Sequence, residues 1–209
     1  MSENIRVAID GPSGAGKSTL ARSVAARLNF LYVDTGAIYR TIGYAVWRKG
    51  IDPRDRSAVV AVLPDLEICL TYGTDGLQHM ELNGMDVTAE IRLPEVSRYA
   101  SLVSAYPEVR AYLLEMQRQL ARENSVVMDG RDIGTCVLPE ADVKVYLTAS
   151  SLVRARRRYR ELTEKGITCD LKEIEQDILD RDHRDMHREH SPLVQAEDAV
   201  YLDSSDMTL

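Results

Sequence analysis

The chain has 209 residues, 44% of them hydrophobic, 28% charged and 6% aromatic. That profile suits one domain, or one core with insertions, and excludes disordered, collagen-like and disulfide-stapled classes. Lys plus Arg number 26 against 33 Asp plus Glu, a net charge of −7, so the chain is a poor general binder of nucleic acid or anionic membrane. Any anionic ligand must be held by local positive charge. No stretch reaches the ~18 apolar residues that span a bilayer. The start, Met1-Ser2-Glu3-Asn4, has no basic segment leading into an apolar run, so no export signal is expected. Cys69, Cys136 and Cys169 are odd in number, far apart and form no CxxC, which predicts a reduced, cytoplasmic protein.

Residues 5–9 form a short β-rich run, followed by the glycine-rich stretch GPSGAGKS at 11–18. Leu20, Val24 and Leu28 then recur at helical spacing. Further strands are predicted at 30–33, 125–128, 143–147 and 199–202, with helical patterns between them. Strands alternating with helices imply a mostly parallel sheet covered on both faces. One segment departs from this rhythm. Leu66, Ile68, Leu70 and Tyr72 alternate with Glu67, Cys69 and Thr71. Thr74-Asp75-Gly76 supplies a turn into a second run at 77–82, and Asn83-Gly84 is a type I′ hairpin signal. A small antiparallel insert is predicted over about 62–90. Pro107 opens a long helix carrying Val109, Leu113, Met116 and Leu120 on one side.

GPSGAGKS satisfies G-x-x-x-x-G-K-[ST] at every defined position, and it has the strand before and helix after that the motif needs. Gly11, Gly14 and Gly16 let successive N–H groups face phosphates, and the helix N-terminus favours the same anion. Lys17 can reach the β- and γ-phosphates, and Ser18 can offer its hydroxyl to Mg²⁺. No asparagine precedes a lysine and no aspartate has a glycine three residues on, which speaks against a regulatory GTPase.

Arginine is clustered: Arg154, Arg156, Arg157, Arg158 and Arg160 lie within seven residues. In an acidic chain, directly after a core strand whose carboxyl end can face ligand, this run predicts a mobile arginine-rich lid over a triphosphate. Ser150 or Ser151 could cap its helix. Arg181, Asp185 and Arg188 share one helical stripe at i, i+4, i+7, next to the apolar side marked by Leu171, Ile174 and Ile178, and are expected to point into a cleft. His183, His187 and His190 fall roughly opposite and read as a solvated face rather than a zinc site. Asp129-Gly130-Arg131-Asp132 ends a predicted strand, where carboxylates commonly serve Mg²⁺ or ligand. Asp34-Thr35-Gly36-Ala37-Ile38-Tyr39-Arg40 ends another.

Together IDGPSGAGKST, DTGAIYR, VTAEIR, YASLVSAYPEVR, DGRDIGT, ARRRYREL and RDHRDMHR followed by SPL resemble the bacterial cytidylate kinases of the nucleoside monophosphate kinase group, over nearly the whole chain. The resemblance implies an α/β P-loop kinase three-layer fold. It would have a parallel five-stranded sheet, a small antiparallel β insert on the monophosphate-binding side and an Arg-rich lid. It further implies a single domain over 1–209, with a monophosphate-binding insertion at about 36–105 and a lid at about 150–168. The implied reaction moves the γ-phosphoryl group of ATP to CMP or dCMP with Mg²⁺. By motif, Gly11, Pro12, Ser13, Gly14, Ala15, Gly16, Lys17, Ser18 and Thr19, with Arg157 of the lid, would hold ATP. Thr35, Arg40, Arg131 and Arg188 would surround the acceptor phosphate. Ser101, Arg110 and Asp132 would read cytosine, and Arg181 and Asp185 would hold the sugar. Arg154, Arg157 and Arg158 would serve the lid, with Lys17, Arg131, Arg188, Arg154 and Arg158 as the catalytic cations. Ser18 and Asp129, the latter through water, would serve the metal. The expected partners are small molecules, with no nucleic acid or membrane, and the expected state is a monomer. Many members of the resembled family carry Gly in place of Ser18 and Ser in place of Thr35. They also continue with a final helix from about the point where this chain stops.

The chemistry of such a transfer is consistent with the residues present. A nucleotide phosphate oxygen, with a second pKa of ~6, is already ionised near neutrality, so no general base is required. The task is aligning several anions, which arginines, Lys17 and Mg²⁺ address by positioning and charge stabilisation. Asp132 can accept from the cytosine amino group and Arg110 can donate to N3 or O2, whereas uracil reverses these partners. Two other readings of the residues remain at this point: a P-loop kinase for UMP or a small metabolite, and a nucleotide-binding switch without transfer.

Overall fold

A computed structural model describes residues 4–74, 76–164 and 166–207. Asp75 of the predicted turn and Lys165 of the predicted lid stretch lie outside the described residues. The chain divides into two compact units, one formed by 1–31 and 124–209 and the other by 32–123. The second unit contains the predicted insertion of about 36–105.

The main sheet has five strands: β1 (Arg6–Asp10), β2 (Leu31–Asp34), β6 (Val126–Gly130), β7 (Val143–Thr148) and β8 (Val200–Asp203), in the order β2-β6-β1-β7-β8. Central β1 runs parallel to β6, with Ile9 opposite Asp129, and to β7, with Ile9 opposite Val145. β7 runs parallel to β8. The expected five-stranded parallel α/β frame is thus present. Val126, Val127 and Met128 are fully buried, which explains why β6 reads as a continuous apolar run rather than an alternation. Parallel register brings the carboxyl ends of β1, β6 and β7 to one edge, where loops of an α/β sheet meet ligand.

Within the first unit, α1 (Lys17–Leu28) follows β1. Its buried line is Lys17, Ala21 and Ala25, whereas Leu28 is 49% exposed. Two alanines let a helix approach neighbouring backbone closely, so small residues and not the Leu20–Val24–Leu28 spacing mark its inner side. Helices α6 (Ser151–Glu164) and α7 (Leu171–His187) pack through Ala155, Ile174 and Ile178, flanked by Leu162, Cys169 and Leu171. Ser150 caps α6 by accepting the Val153 N–H at 3.4 Å, and Asp170 caps α7 by accepting from Lys172 and Glu173.

In the second unit, α2 (Thr35–Arg48) packs on α4 (Pro94–Val103). The contact needs Gly43: a Cβ there would stand 2.7 Å from the Ala100 N. α3 (Arg56–Val62) leads into the antiparallel sheet β3 (Ile68–Tyr72), β4 (Gln78–Leu82) and β5 (Met85–Asp86). Leu70 pairs with Met80 and Leu82 with Met85. Asn83 and Gly84 have φ of 50° and 75°, the two left-handed residues a type I′ turn requires. α5 (Pro107–Glu123) begins at the expected proline. Its inner line is Val109, Leu113, Gln117 and Ala121; the Gln117 Nε2 donates to Leu113 O at 3.1 Å, while its Oε1 is buried without a donor.

Candidate active site

In the first unit, β1 ends at Asp10 and the chain turns through Gly11 to Gly16 into α1. Gly11 has φ +147°, and a Cβ on it would lie 1.9 Å from Leu147 O on β7, so only glycine lets the loop leave the sheet here. Gly14 and Gly16 also hold positive φ. Gly16 occupies the cap position of α1, with no side chain to satisfy the free amides. These N–H groups are the anion-binding element the motif predicts.

Lys17 is buried, and its Nζ donates to Pro12 O at 2.8 Å. Burial pulls its ammonium down to about 7; Arg131 pushes the same way and Asp129 and Asp10 partly oppose it. A cation held this reluctantly gains most from an incoming anion. Ser18 Oγ donates to Asp129 Oδ2 at 3.0 Å. A hydroxyl and a carboxylate at this separation are hard oxygen donors of the kind Mg²⁺ takes alongside water and phosphate oxygens. The residues therefore fit the metal, although no group of three or more His, Cys, Asp or Glu gathers among the described residues.

The turn after β6 presents Arg131 and Asp132. Arg131 Nε donates to Asp185 Oδ2 at 3.0 Å, and Arg181 Nε lies 3.9 Å from the same oxygen. Arg188 Nη2 is 3.6 Å from Asp132 Oδ1. Arg181 and Asp185 of the expected stripe lie on α7, with Asp185 4% exposed, but Arg188 stands just past the helix end, at a C-cap with extended backbone (φ −65°, ψ 144°), and so is not part of a helical stripe. Burial would raise the Asp185 carboxyl, but Arg131, Arg181 and Arg188 outweigh it and hold the group below its ordinary value. Three guanidiniums thus converge on two carboxylates. Three cations against two carboxylates leave this cluster net positive in an acidic chain. His183 and His187 stack 4.2 Å apart on the exposed side, consistent with a solvated face.

The lid arginines differ from one another. Arg154 departs from the expectation of a lid cation open to phosphate. It is 5% exposed, and its guanidinium donates to Ser13 O at 3.0 Å and Ala149 O at 2.8 Å and pairs with Asp182 at 2.7 Å. It clamps the phosphate loop from behind, because a buried guanidinium must be met by acceptors on several sides. Arg157 donates to Ala15 O at 3.3 Å and Ser204 O at 2.7 Å. Arg158 is partly exposed and pairs with Glu161 at 3.1 Å.

The second unit holds another set. Asp34 caps α2 by accepting the Ala37 N–H at 2.9 Å and also pairs with Arg40 Nη2 at 2.8 Å. Burial would raise Asp34, yet Arg40 and the Ala37 amide hold it below its ordinary value. Thr35 is 2% exposed. The Arg40 Nε is buried without an acceptor, as is Ser101 Oγ on α4, and both suit a polar ligand. Arg110 on α5 lies over the Tyr39 ring at 5.3 Å and donates to Ser104 O at 3.1 Å. Sequence reasoning missed the roles of Asp10, Asp34 and Asp182. Only Asp34 had a local signal, standing three residues before Ala37 at a helix start.

A phosphate loop between the first strand of a parallel sheet and its helix, with a buried lysine and a hydroxyl–carboxylate pair, defines a P-loop nucleotide-binding protein. Residues 7–209 match the family model for cytidylate kinase. Relatives named cytidylate kinase are 48% identical over 209 residues in Desulfitobacterium hafniense, covering 100% of this chain and 89% of that one. One in Leuconostoc mesenteroides is 48% identical over 206 residues, covering 99% and 92%. Another in Caldicellulosiruptor bescii is 47% identical over 207 residues, covering 99% and 91%. The chain belongs to the cytidylate kinase family.

Proposed function

We propose that this chain transfers the γ-phosphoryl group of ATP to CMP or dCMP by direct in-line transfer, giving ADP and CDP or dCDP. The observation that carries the reading is the convergence of Arg131, Arg181 and Arg188 on Asp185 and Asp132, in the same unit as the buried Lys17. A hydrolase needs an activated water. Here the nucleophile is an acceptor phosphate that is already ionised, and what is needed is cationic alignment of two polyanions.

In this reading the loop 11–19 holds the triphosphate and Lys17 neutralises charge that develops between donor and acceptor. Arg131 and Arg188 hold the acceptor phosphate, and Thr35 and Arg40 are the further donors that the family motifs assign to it. Arg181 and Asp185 hold the sugar; Asp132, Ser101 and Arg110 read the cytosine edge. Arg157 and Arg158 serve the lid, and Arg154 acts by fixing the loop. Mg²⁺ held by Ser18 and, through water, by Asp129 would screen the phosphate oxygens. The protein works as a cytoplasmic monomer. Three free thiols suit a reducing compartment, and no described helix is long and apolar enough to cross a membrane. A coupled assay of ADP release with CMP, dCMP, UMP and AMP tests the reading. Release that depends on CMP or dCMP is expected; release with none of the four, while ATP still binds, would reject it.

A further inference from the structure

Asp10 is the last residue of β1. Its side chain takes no part in the roles assigned above, yet it is 5% exposed. Both carboxylate oxygens are engaged. Oδ1 accepts the Ile133 N–H at 2.8 Å and Oδ2 accepts the Gly134 N–H at 2.7 Å.

These two amides open the short π-helical turn Ile133–Val137. The first N–H groups of any helical turn have no acceptor within the turn itself, and at a buried position each would otherwise be left unsatisfied. Further along, the turn is closed by Cys136 and Val137 donating to Asp132 O at 2.9 and 3.1 Å. Asp132 is therefore fixed from one side by the turn it caps, and that turn is fixed by a carboxylate 123 residues away in sequence. The charged neighbours of Asp10 are Lys17, which favours its ionised form, and Asp132, which opposes it. The same carboxylate thus holds the first amides of the turn that Asp132 caps.

We propose that Asp10 is a positioning residue for the acceptor base: by holding the Ile133 and Gly134 amides it sets the direction of the Asp132 carboxylate. The inference rests on the cytosine-reading role given to Asp132 above. Asp10→Asn keeps size and shape but turns an N–H₂ toward one of the two amides. The side chain can then accept only one of the two bonds.

The experiment compares wild type, Asp10→Asn and Asp132→Asn for kcat and KM with CMP and UMP. Amide hydrogen exchange of Ile133 and Gly134, read by NMR, accompanies it. In Asp10→Asn exchange at these two amides should quicken about tenfold, kcat/KM for CMP should fall about tenfold, and the CMP-to-UMP ratio should fall with it. Unchanged exchange, or a lowered melting temperature with an unchanged CMP-to-UMP ratio, overturns the proposal. A wild-type protein inactive on CMP rejects the functional reading and the positioning role together. A normal ratio in Asp132→Asn rejects the base-reading role and, with it, the aim of Asp10. Should Asp10→Asn fail to fold, Asp10→Ser, a smaller side chain with a single oxygen that cannot accept from both amides at once, tests the same contact; the ratio should move in the same direction, and an unchanged ratio there overturns the proposal.

Discussion

Arg154 on α6 and Asp182 on α7 form a buried ion pair, Nη2 to Oδ2 at 2.7 Å, and the same guanidinium holds Ser13 O of the phosphate loop at 3.0 Å. Three residues further along α7, Asp185 holds Arg131 at 3.0 Å. One helix therefore fastens both the phosphate loop and Arg131. Breaking a buried pair by removing one partner strands the other charge, which costs about 3–5 kcal/mol. Asp182→Asn is expected to lower unfolding free energy by that amount in chemical denaturation. The double variant with Arg154→Met should lose clearly less than the sum of the two single losses. Additive losses would show that the pair does not act as a unit.

Lys17→Ala should reduce turnover by orders of magnitude while the melting temperature stays close to wild type, because Lys17 serves charge and not apolar packing. Near-normal turnover would contradict the assignment.

The depressed Lys17 ammonium has a measurable consequence. With a value of about 7, the free protein carries this group partly neutral around pH 7 to 8. Bound triphosphate favours the charged form, so ATP binding should take up protons there. Calorimetry in buffers of different ionisation enthalpy should detect net uptake that disappears in Lys17→Met. No difference between the two proteins would refute it.

Asp10 titrates in the opposite sense. Burial raises it from 3.8 to about 6 in the folded protein, opposed by the Gly134 and Ile133 amides. Between those values the native state binds more protons than the unfolded chain, so this group's contribution to stability is present below 3.8 and is lost as pH rises through 6. The amount is on the order of 3 kcal/mol. The difference in unfolding free energy between wild type and Asp10→Asn should shift across this window. A difference independent of pH from 3.5 to 7 would contradict the raised value.

Gly43→Ala should destabilise by about 1–3 kcal/mol, since its Cβ would press on the Ala100 backbone at 2.7 Å. A denaturation midpoint equal to wild type would show that α2 and α4 can separate without loss.

Much of the frame was legible from local pattern. The phosphate loop announced itself because its glycines, lysine and serine are contiguous. The Asn83-Gly84 hairpin was equally local. Arg181 and Asp185 were legible because helical spacing puts them on one stripe, whereas Arg188 stands in extended backbone past the end of α7 and reaches Asp132 from there. Asp182 was not: it adjoins Arg181, and its partner Arg154 lies on another helix. Asp10 was invisible for the same reason, its two amides lying 123 and 124 positions away. The five arginines of α6 looked equivalent in sequence. Only packing against α7 separates the buried Arg154 from the partly exposed Arg158. Pairings between elements are set by tertiary packing, and a single sequence carries no local trace of them.

The central claim is transfer between two nucleotides and not hydrolysis. ATP labelled in its γ-phosphate, incubated with CMP and this protein, tests it most directly. The label should appear in CDP, and Lys17→Ala should abolish its appearance. Label found only in inorganic phosphate, with CMP recovered unchanged, would contradict the account.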